Sequence, residues 1–482
     1  MSSEAGPGEL KRTLKRRHLY TLGVGTIVGV AWLMVLGSVL ASGGPVGAGI
    51  GFVIGAAAMI PIGLCYAELS GAFPQVGGEV VYAYQLFGVG WAYIAGIALA
   101  FIYVINCVFF AVSVGWLLNE LLPGLEGPLL YNVLGAAVHV GDLVIGTLVS
   151  LALLAAHWRG AKDAARLQDV ATYALLIATC VFVAIGIGRG HVANLQPLIA
   201  PSGWAWGYGG VFAALAVTPY FFGGFNTIPQ AVSELESDGK PAGIAGVLVA
   251  CIATSLVFYC LVLVAVAMVL PRAELLSYPL PVAQAFRVAF HSVLISNFIL
   301  AGGLLGLIAV WNALFFAATR VLFALGRARL LHPSLGRLGA GAKAPTRAIV
   351  FVTAICIAGL FLGKGILLPV VNITSTLFAL MYAIVAIGVL HHRHDQHSAP
   401  GAYQVPGGQL LVWAAVLIAL YLIVLSLIQQ RMDAGGRLPV EWLLLVGLAG
   451  AAWALWLVSK AARHSISEAE RRGIVLDVIT NQ

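Results

Sequence analysis

Acid–base side chains are scarce where this chain is most apolar. Glu68, His139 and Asp142 are the candidates inside apolar stretches, and their spacing does not bring them together. A catalyst embedded in a membrane needs clustered His, Asp or Glu at ligand or relay spacing, so these residues point away from an enzyme. Cys65, Cys107, Cys180, Cys251, Cys260 and Cys356 all lie in apolar runs with no paired spacing. They read as small packing residues, not as a disulfide framework or a zinc site. The run HHRHDQH, His391 to His397, holds metal-capable types, but it stands among charges and reads as a solvated loop. There is no Walker loop and no nucleotide fingerprint, so no cofactor, metal or nucleotide is expected.

What remains is binding by the backbone itself. The stretch LGVGTIVGVAWLMVLGS, residues 22–38, is apolar enough for a membrane helix yet carries Gly23, Gly25, Gly29 and Gly37. Each glycine costs a helix roughly 1 kcal/mol relative to alanine. A second interrupted stretch, VTPYFFGGFNTIPQAVSEL (217–235), has Pro219, Gly223, Gly224 and Pro229 around polar Asn226 and Thr227. Unwound backbone in hydrocarbon needs a ligand, water or protein partner for its freed amides and carbonyls. Two Gly/Pro-interrupted spans in corresponding halves point to a transporter site in an inverted repeat. Free amides at the start of a second half-helix suit a carboxylate, and the helix dipole adds attraction.

The elements that hold these breaks follow from composition. Of 482 residues, 61% are hydrophobic and 9% charged, with mean hydropathy +0.97. Soluble domains carry about 25% charged residues, so the solvent here is lipid. A basic tail precedes the first apolar run, but apolar runs continue to residue 459, which reads as a first span and not a removed signal. At about 20 residues per span, the sequence predicts twelve: 19–42, 47–70, 86–119, 131–157, 168–188, 206–233, 243–270, 291–325, 346–363, 366–390, 408–429 and 439–459. An even count puts both termini on one side. Twenty of the 26 Lys and Arg then fall on that side, including Arg320, Arg327, Arg329, Arg337, Lys343 and Arg347 in the region of spans 8 and 9. The asymmetry assigns that side to the cytoplasm. The net charge of +7 is therefore a topology signal, and no nucleic-acid partner is expected.

Four segments together resemble the amino acid–polyamine–organocation (APC) superfamily of permeases: GVGTIVGVAW, CYAELSGAFPQVGGEVVYAY (65–84), FFGGFNTIPQAVSELESDGKP (221–241) and NALFFAATRVLFALGRARLLHP (312–333). The second is the most specific, with Glu68, Pro74, Gly77, Gly78, Glu79 and Tyr82 in register. The resemblance implies an all-α integral membrane protein of about twelve transmembrane helices with a leucine-transporter-like 5+5 inverted repeat. The repeats would be 19–189 and 206–391, with two peripheral helices in 408–459, a cytoplasmic N-tail (1–18) and a cytoplasmic C-tail (460–482). It implies a multi-pass protein of the cell membrane that moves an amino acid or small amine by alternating access.

The family's Gly-small-Gly break in helix 1 matches Gly29, Val30 and Ala31, followed by a large Trp32. In helix 6 the pattern matches Phe222, Gly224 and Phe225, with Asn226 where relatives often hold an acid. The expected substrate contacts are Thr26, Val28, Gly29, Val30, Ala31, Trp32, Asn106, Phe222, Gly223, Gly224, Phe225 and Asn226. Glu68, Tyr103 and Asn312 are expected in gating or structural roles, with Tyr103, Phe222 and Phe225 as aromatic lid candidates. Leu175 aligns with a helix 5 lysine that some relatives use in place of sodium, and helix 8 lacks core hydroxyls. Proton or sodium coupling, or exchange against a counter-substrate, stays open. Without an acid at 226, neutral substrates are expected to be preferred, an Asn226→Asp change to favour cations, and Trp32→Ala to admit larger side chains. The rival reading is a non-transporting sensor or partner-dependent subunit of the same fold.

Overall fold

The computed structural model describes residues 14–475, apart from 76, 134, 160, 201–208, 233–234, 236–241, 276–280, 339–343, 396–402 and 436. Most of the N-tail, Lys240 and Lys343 therefore lie outside the described residues. Helices below keep the numbers of the candidate spans. Among the described residues, nine helices are long and apolar enough to cross a membrane, and Gly209–Phe221 and Thr346–Leu362 are shorter apolar helices.

Helix 1 comes in pieces: Arg16–Val28, Ala31–Met34 and then Leu36 onward. The chain turns into helix 2 at Gly44 (φ 69°, ψ 171°), and helix 2 ends at Ala72. A short helix, Glu79–Phe87, leads into helix 3, Val89–Leu121. Helix 4 is Val140–Trp158, shorter than expected. Its first predicted residues instead form an antiparallel hairpin, Leu129–Val133 with Ala136–His139. Gly135 (φ 76°) lies between the two strands, where a glycine turn interrupts any continuous helix. Helices 5, 7 and 8 are Ala161–Arg189, Ala242–Val269 and Val293–Arg327. Helix 6 is cut into Gly209–Phe221 and Thr227–Ala231. Helix 9 is Thr346–Gly359, and helix 10 is Leu367–Asp395. The HHRHD residues thus extend helix 10 instead of forming a loop, while Gln396 and His397 lie outside the described residues. Helices 11 and 12 are Gly408–Asp433 and Val440–Val458.

Burial sorts these helices into centre and periphery. In their most apolar windows helix 3 is 89% buried and helix 10 is 83%, whereas helix 12 is 0%. Helices 3 and 10 are therefore apolar because protein surrounds them, and helix 12 because lipid does. Leu294, Leu410 and Val458 are largely exposed, as befits a lipid-facing surface. The protein is a multi-pass membrane protein. Both cut helices sit at the centre: the first half of helix 1 packs on helices 5, 7 and 8, and the first half of helix 6 on helices 2 and 10.

Candidate functional site

Helix 1 stops at Val28 because Gly29 takes φ 42°, ψ −140°, a conformation that a side chain makes costly. Close approach adds a second reason for glycine, since a Cβ at 29 would lie 3.2 Å from Val310 on helix 8. One turn earlier on helix 8, a Cβ at Gly306 would lie 2.3 Å from the Gly29 carbonyl. Leu175 is fully buried against this junction. Helical pairing is lost here, and the Tyr259 hydroxyl on helix 7 replaces it. It donates to the carbonyls of Ile27 (2.6 Å) and Val28 (3.3 Å).

Helix 6 stops at Phe221, and Gly224 carries φ 114°. A Cβ there would sit 2.6 Å from Thr26, so the two breaks touch each other. Asn226 folds back across its own break. Its Oδ1 accepts the Gly224 amide at 3.2 Å, and its Nδ2 donates to the Tyr103 hydroxyl at 2.8 Å. The Thr227 hydroxyl donates to the Gly224 carbonyl at 2.6 Å, and the Thr26 hydroxyl to the Leu22 carbonyl at 2.5 Å. Asn226 and Thr227 thus bond groups that the break in helix 6 leaves without helical partners, whereas the Thr26 bond is an additional one within helix 1.

A cavity of about 30 Å³ lies where the breaks meet. It is bordered by Thr26, Ile27, Gly29 and Val30 of helix 1, Asn106 and Phe110 of helix 3, and Tyr220, Gly223 and Gly224 of helix 6. Val310, Leu314 and Phe378 complete it. That space suits a water molecule or two, against several hundred Å³ for a typical ligand site. The cavity as it stands is too small for an amino acid. No ionisable group other than the Tyr220 phenol is among the bordering residues. The polar groups are unwound backbone, the Thr26 hydroxyl and Asn106, whose Nδ2 donates to the Ile102 carbonyl (2.7 Å) and Thr374 Oγ1 (3.0 Å).

Of the residues expected from sequence, Thr26, Gly29, Val30, Asn106, Gly223 and Gly224 meet at this cavity. Val28, Trp32, Phe222, Phe225 and Asn226 are buried but not among its bordering residues, and the Ala31 side chain lies outside the described set. The Trp32 indole packs on Phe182 (5.5 Å) and Phe258 (6.1 Å) of helices 5 and 7, so it supports the break from behind. Phe222 packs on Phe52 and Tyr259, and Phe225 stacks on Tyr382 at 5.4 Å and 17°. Tyr103 is held by Asn226, not poised as a lid. Glu68 receives Arg393 through both Nε (2.8 Å) and Nη2 (2.5 Å) and also the Val405 amide (2.6 Å). It thereby ties helix 2 to the end of helix 10 and the approach to helix 11. Asn312 donates to Gln168 (2.8 Å) and contacts His157 (3.0 Å), joining helices 4, 5 and 8 away from the cavity. Asp142 is only 8% exposed and faces His139 and Lys364 instead of open water.

Sequence reasoning missed Tyr259, which serves the helix 1 break, and the aromatic wall of Phe110, Tyr220 and Phe378. It also missed Glu79, the first residue of the short helix after helix 2. Glu79 is 0% exposed and stands on the far side of Asn226 from the cavity. Gln230 Nε2 donates to its Oε2 at 2.5 Å, and Asn226 Nδ2 to its Oε1 at 3.4 Å. Burial pushes this carboxyl up to about 7 against the pull of its amide donors. The available signal was GGEVVYAY, where an acid opens an otherwise apolar helical turn.

The amino acid permease family profile matches residues 14–449. The branched-chain amino acid permease BcaP of Bacillus subtilis is 28% identical over 434 residues, covering 88% of this chain and 90% of the relative. The methylthioribose transporter of the same species is 28% identical over 415 residues, 84% and 86% of the two chains. The chloroplastic cationic amino acid transporter 9 of Arabidopsis thaliana is 30% identical over 342 residues, 68% and 58%.

Proposed function

The chain belongs to the amino acid permease family, and from that premise we propose that it carries a neutral amino acid, held where the breaks of helices 1 and 6 meet. One observation carries the choice of a neutral substrate: apart from the Tyr220 phenol the cavity border is apolar side chain, hydroxyl, amide and unwound backbone. A zwitterion suits that border. Its carboxylate competes with Asn226 Oδ1 for the Gly224 amide, and its ammonium meets carbonyls, the Thr26 hydroxyl and the Asn106 Oδ1. Its side chain meets Ile27, Phe110, Val310, Leu314 and Phe378. A second positive charge would be desolvated beside them without a partner, and burying an unpaired ion is very costly. The relatives include transporters named for branched-chain and for cationic amino acids, so membership leaves side-chain charge open, and the cavity border supports the neutral reading.

The remaining parts follow the same reading. Residues 19–189 and 206–391 form the two inverted repeats, with helices 11 and 12 outside them. Helices 1, 2, 6 and 7 rock against 3, 4, 8 and 9 about the cavity. The protein lies in the cell membrane with both termini in the cytoplasm, as the Lys and Arg distribution requires. The test is uptake of labelled L-leucine into proteoliposomes with unlabelled competitors. Leucine, isoleucine, valine and methionine should compete, with arginine, lysine and spermidine far weaker. Strong inhibition by arginine or spermidine and little by the neutral amino acids would refute the reading.

A further inference from the structure

Among the described residues, no cation is hydrogen-bonded to the Glu79 carboxylate. Among the described groups that act on it, none is Lys, Arg or His. Its surroundings are the Asn226 and Gln230 amides of helix 6, with the phenols of Tyr66 on helix 2, Tyr103 on helix 3 and Tyr382 on helix 10 nearby. Burial favours the neutral carboxyl, while the amide donors favour the carboxylate.

The cluster is built to accept either state. As a carboxylate, Glu79 takes N–H bonds from Gln230 and Asn226. The Gln230 Oε1 is buried without a partner. A protonated Glu79 gains an O–H donor, and rotation of the Gln230 amide offers it that unused acceptor. Ser70 and Tyr82, by contrast, already satisfy each other at 2.8 Å.

The cluster is also wired to the substrate cavity. Gly224 borders the cavity, its amide binds Asn226 Oδ1, and Asn226 Nδ2 reaches Glu79. A substrate carboxylate at the helix 6 break would compete for the Gly224 amide and place a second negative charge one residue layer from Glu79. Like charges disfavour joint ionisation, so bound substrate raises the proton affinity of Glu79. By reciprocity the proton raises substrate affinity to the same degree.

Resting on the transport reading above, we propose that Glu79 is the proton-binding site that couples substrate movement to proton movement in the same direction. Hydronium on the side of entry gives up a proton to a Glu79 carboxylate oxygen, and water on the side of release takes it back. The carrier returns with Glu79 ionised and held by Gln230 and Asn226.

The test uses full-length protein in proteoliposomes loaded with the pH dye pyranine, with labelled L-leucine as the probe. Leucine–leucine counterflow without a gradient comes first, and its absence in the wild-type protein would sink the transport reading itself. With counterflow present, an imposed gradient of one pH unit, alkaline inside, should drive up to about tenfold leucine accumulation for one proton per substrate. Leucine entry should acidify the lumen. Glu79→Gln should lose accumulation and acidification while still exchanging leucine. Wild-type counterflow that ignores the gradient would overturn the proposal without touching the transport reading, as would gradient-driven accumulation by Glu79→Gln. If Glu79→Gln does not yield monodisperse protein, Glu79→Asp decides. A displaced pH midpoint of driven uptake supports the proposal, and an unmoved midpoint overturns it.

Discussion

Replacing Asn226 by Asp is the most instructive single perturbation of the site. From sequence alone it installs the acid that many relatives carry, and so should favour cationic substrates. The structure argues otherwise, because an acid already stands there from another element. Asn226 Nδ2 lies 3.4 Å from Glu79 Oε1. Two ionised carboxylates at that separation repel by about 5 kcal/mol at an effective dielectric of about 20. The exchange of an amide donor for an acceptor also removes a hydrogen bond to Glu79. The pair therefore shares one proton around neutral pH and carries one negative charge, as Glu79 alone does in the wild-type protein when ionised. We predict that competition against labelled L-leucine in proteoliposomes at pH 7 will show no switch to arginine. The arginine-to-leucine inhibition ratio should stay within roughly threefold of wild type, under about 0.7 kcal/mol, and the pH dependence of uptake should move instead. A gain of tenfold or more in arginine preference with an unmoved pH profile would refute this electrostatic reasoning.

Three further substitutions test other parts of the account. Gly224→Ala forces a side chain into φ 114° and against Thr26, so it should cost about 3 kcal/mol or more and abolish uptake; normal melting and uptake would show that the break needs no glycine. Trp32→Ala should lower stability by about 3–5 kcal/mol yet leave substrate range unchanged, since the indole packs on Phe182 and Phe258; thermal melts with the competition panel check this, and admission of larger substrates would contradict it. Glu68→Gln leaves Arg393 without its carboxylate, a loss of about 3–5 kcal/mol; a melting temperature within a degree of wild type would mean the pair is dispensable.

The positions of the breaks were legible in the sequence because glycine and proline act locally. Gly29 alone can take its positive φ, and the Pro219-to-Pro229 stretch has no continuous helical alternative. Side-chain direction was less legible. Trp32 and Phe222 follow the breaks directly in sequence, but their rings turn into aromatic clusters on helices 5 and 7. Tyr259 and Glu79 lie 231 and 147 residues from the break groups they serve, and no local pattern reports such a pairing. The hairpin before helix 4 was misread because an apolar count overlooks the turn at Gly135 and the polar Asn132 and His139 that interrupt the run. Glu79, from the turn after helix 2, stands beside Asn226 but outside the cavity border, a placement visible only once the two segments are packed together.

The central claim is that substrate sits between the two unwound segments. A density map of the protein with a saturating neutral amino acid, L-leucine first, tests it most directly. The account predicts ligand density at the widened cavity, with the carboxylate against amides of Gly29–Val30 and Gly223–Gly224 and the side chain toward Phe110 and Leu314. Density elsewhere, such as the apolar groove between helix 3 and helix 12 at Tyr93, Leu448 and Trp456, with helices 1 and 6 unmoved, would contradict it.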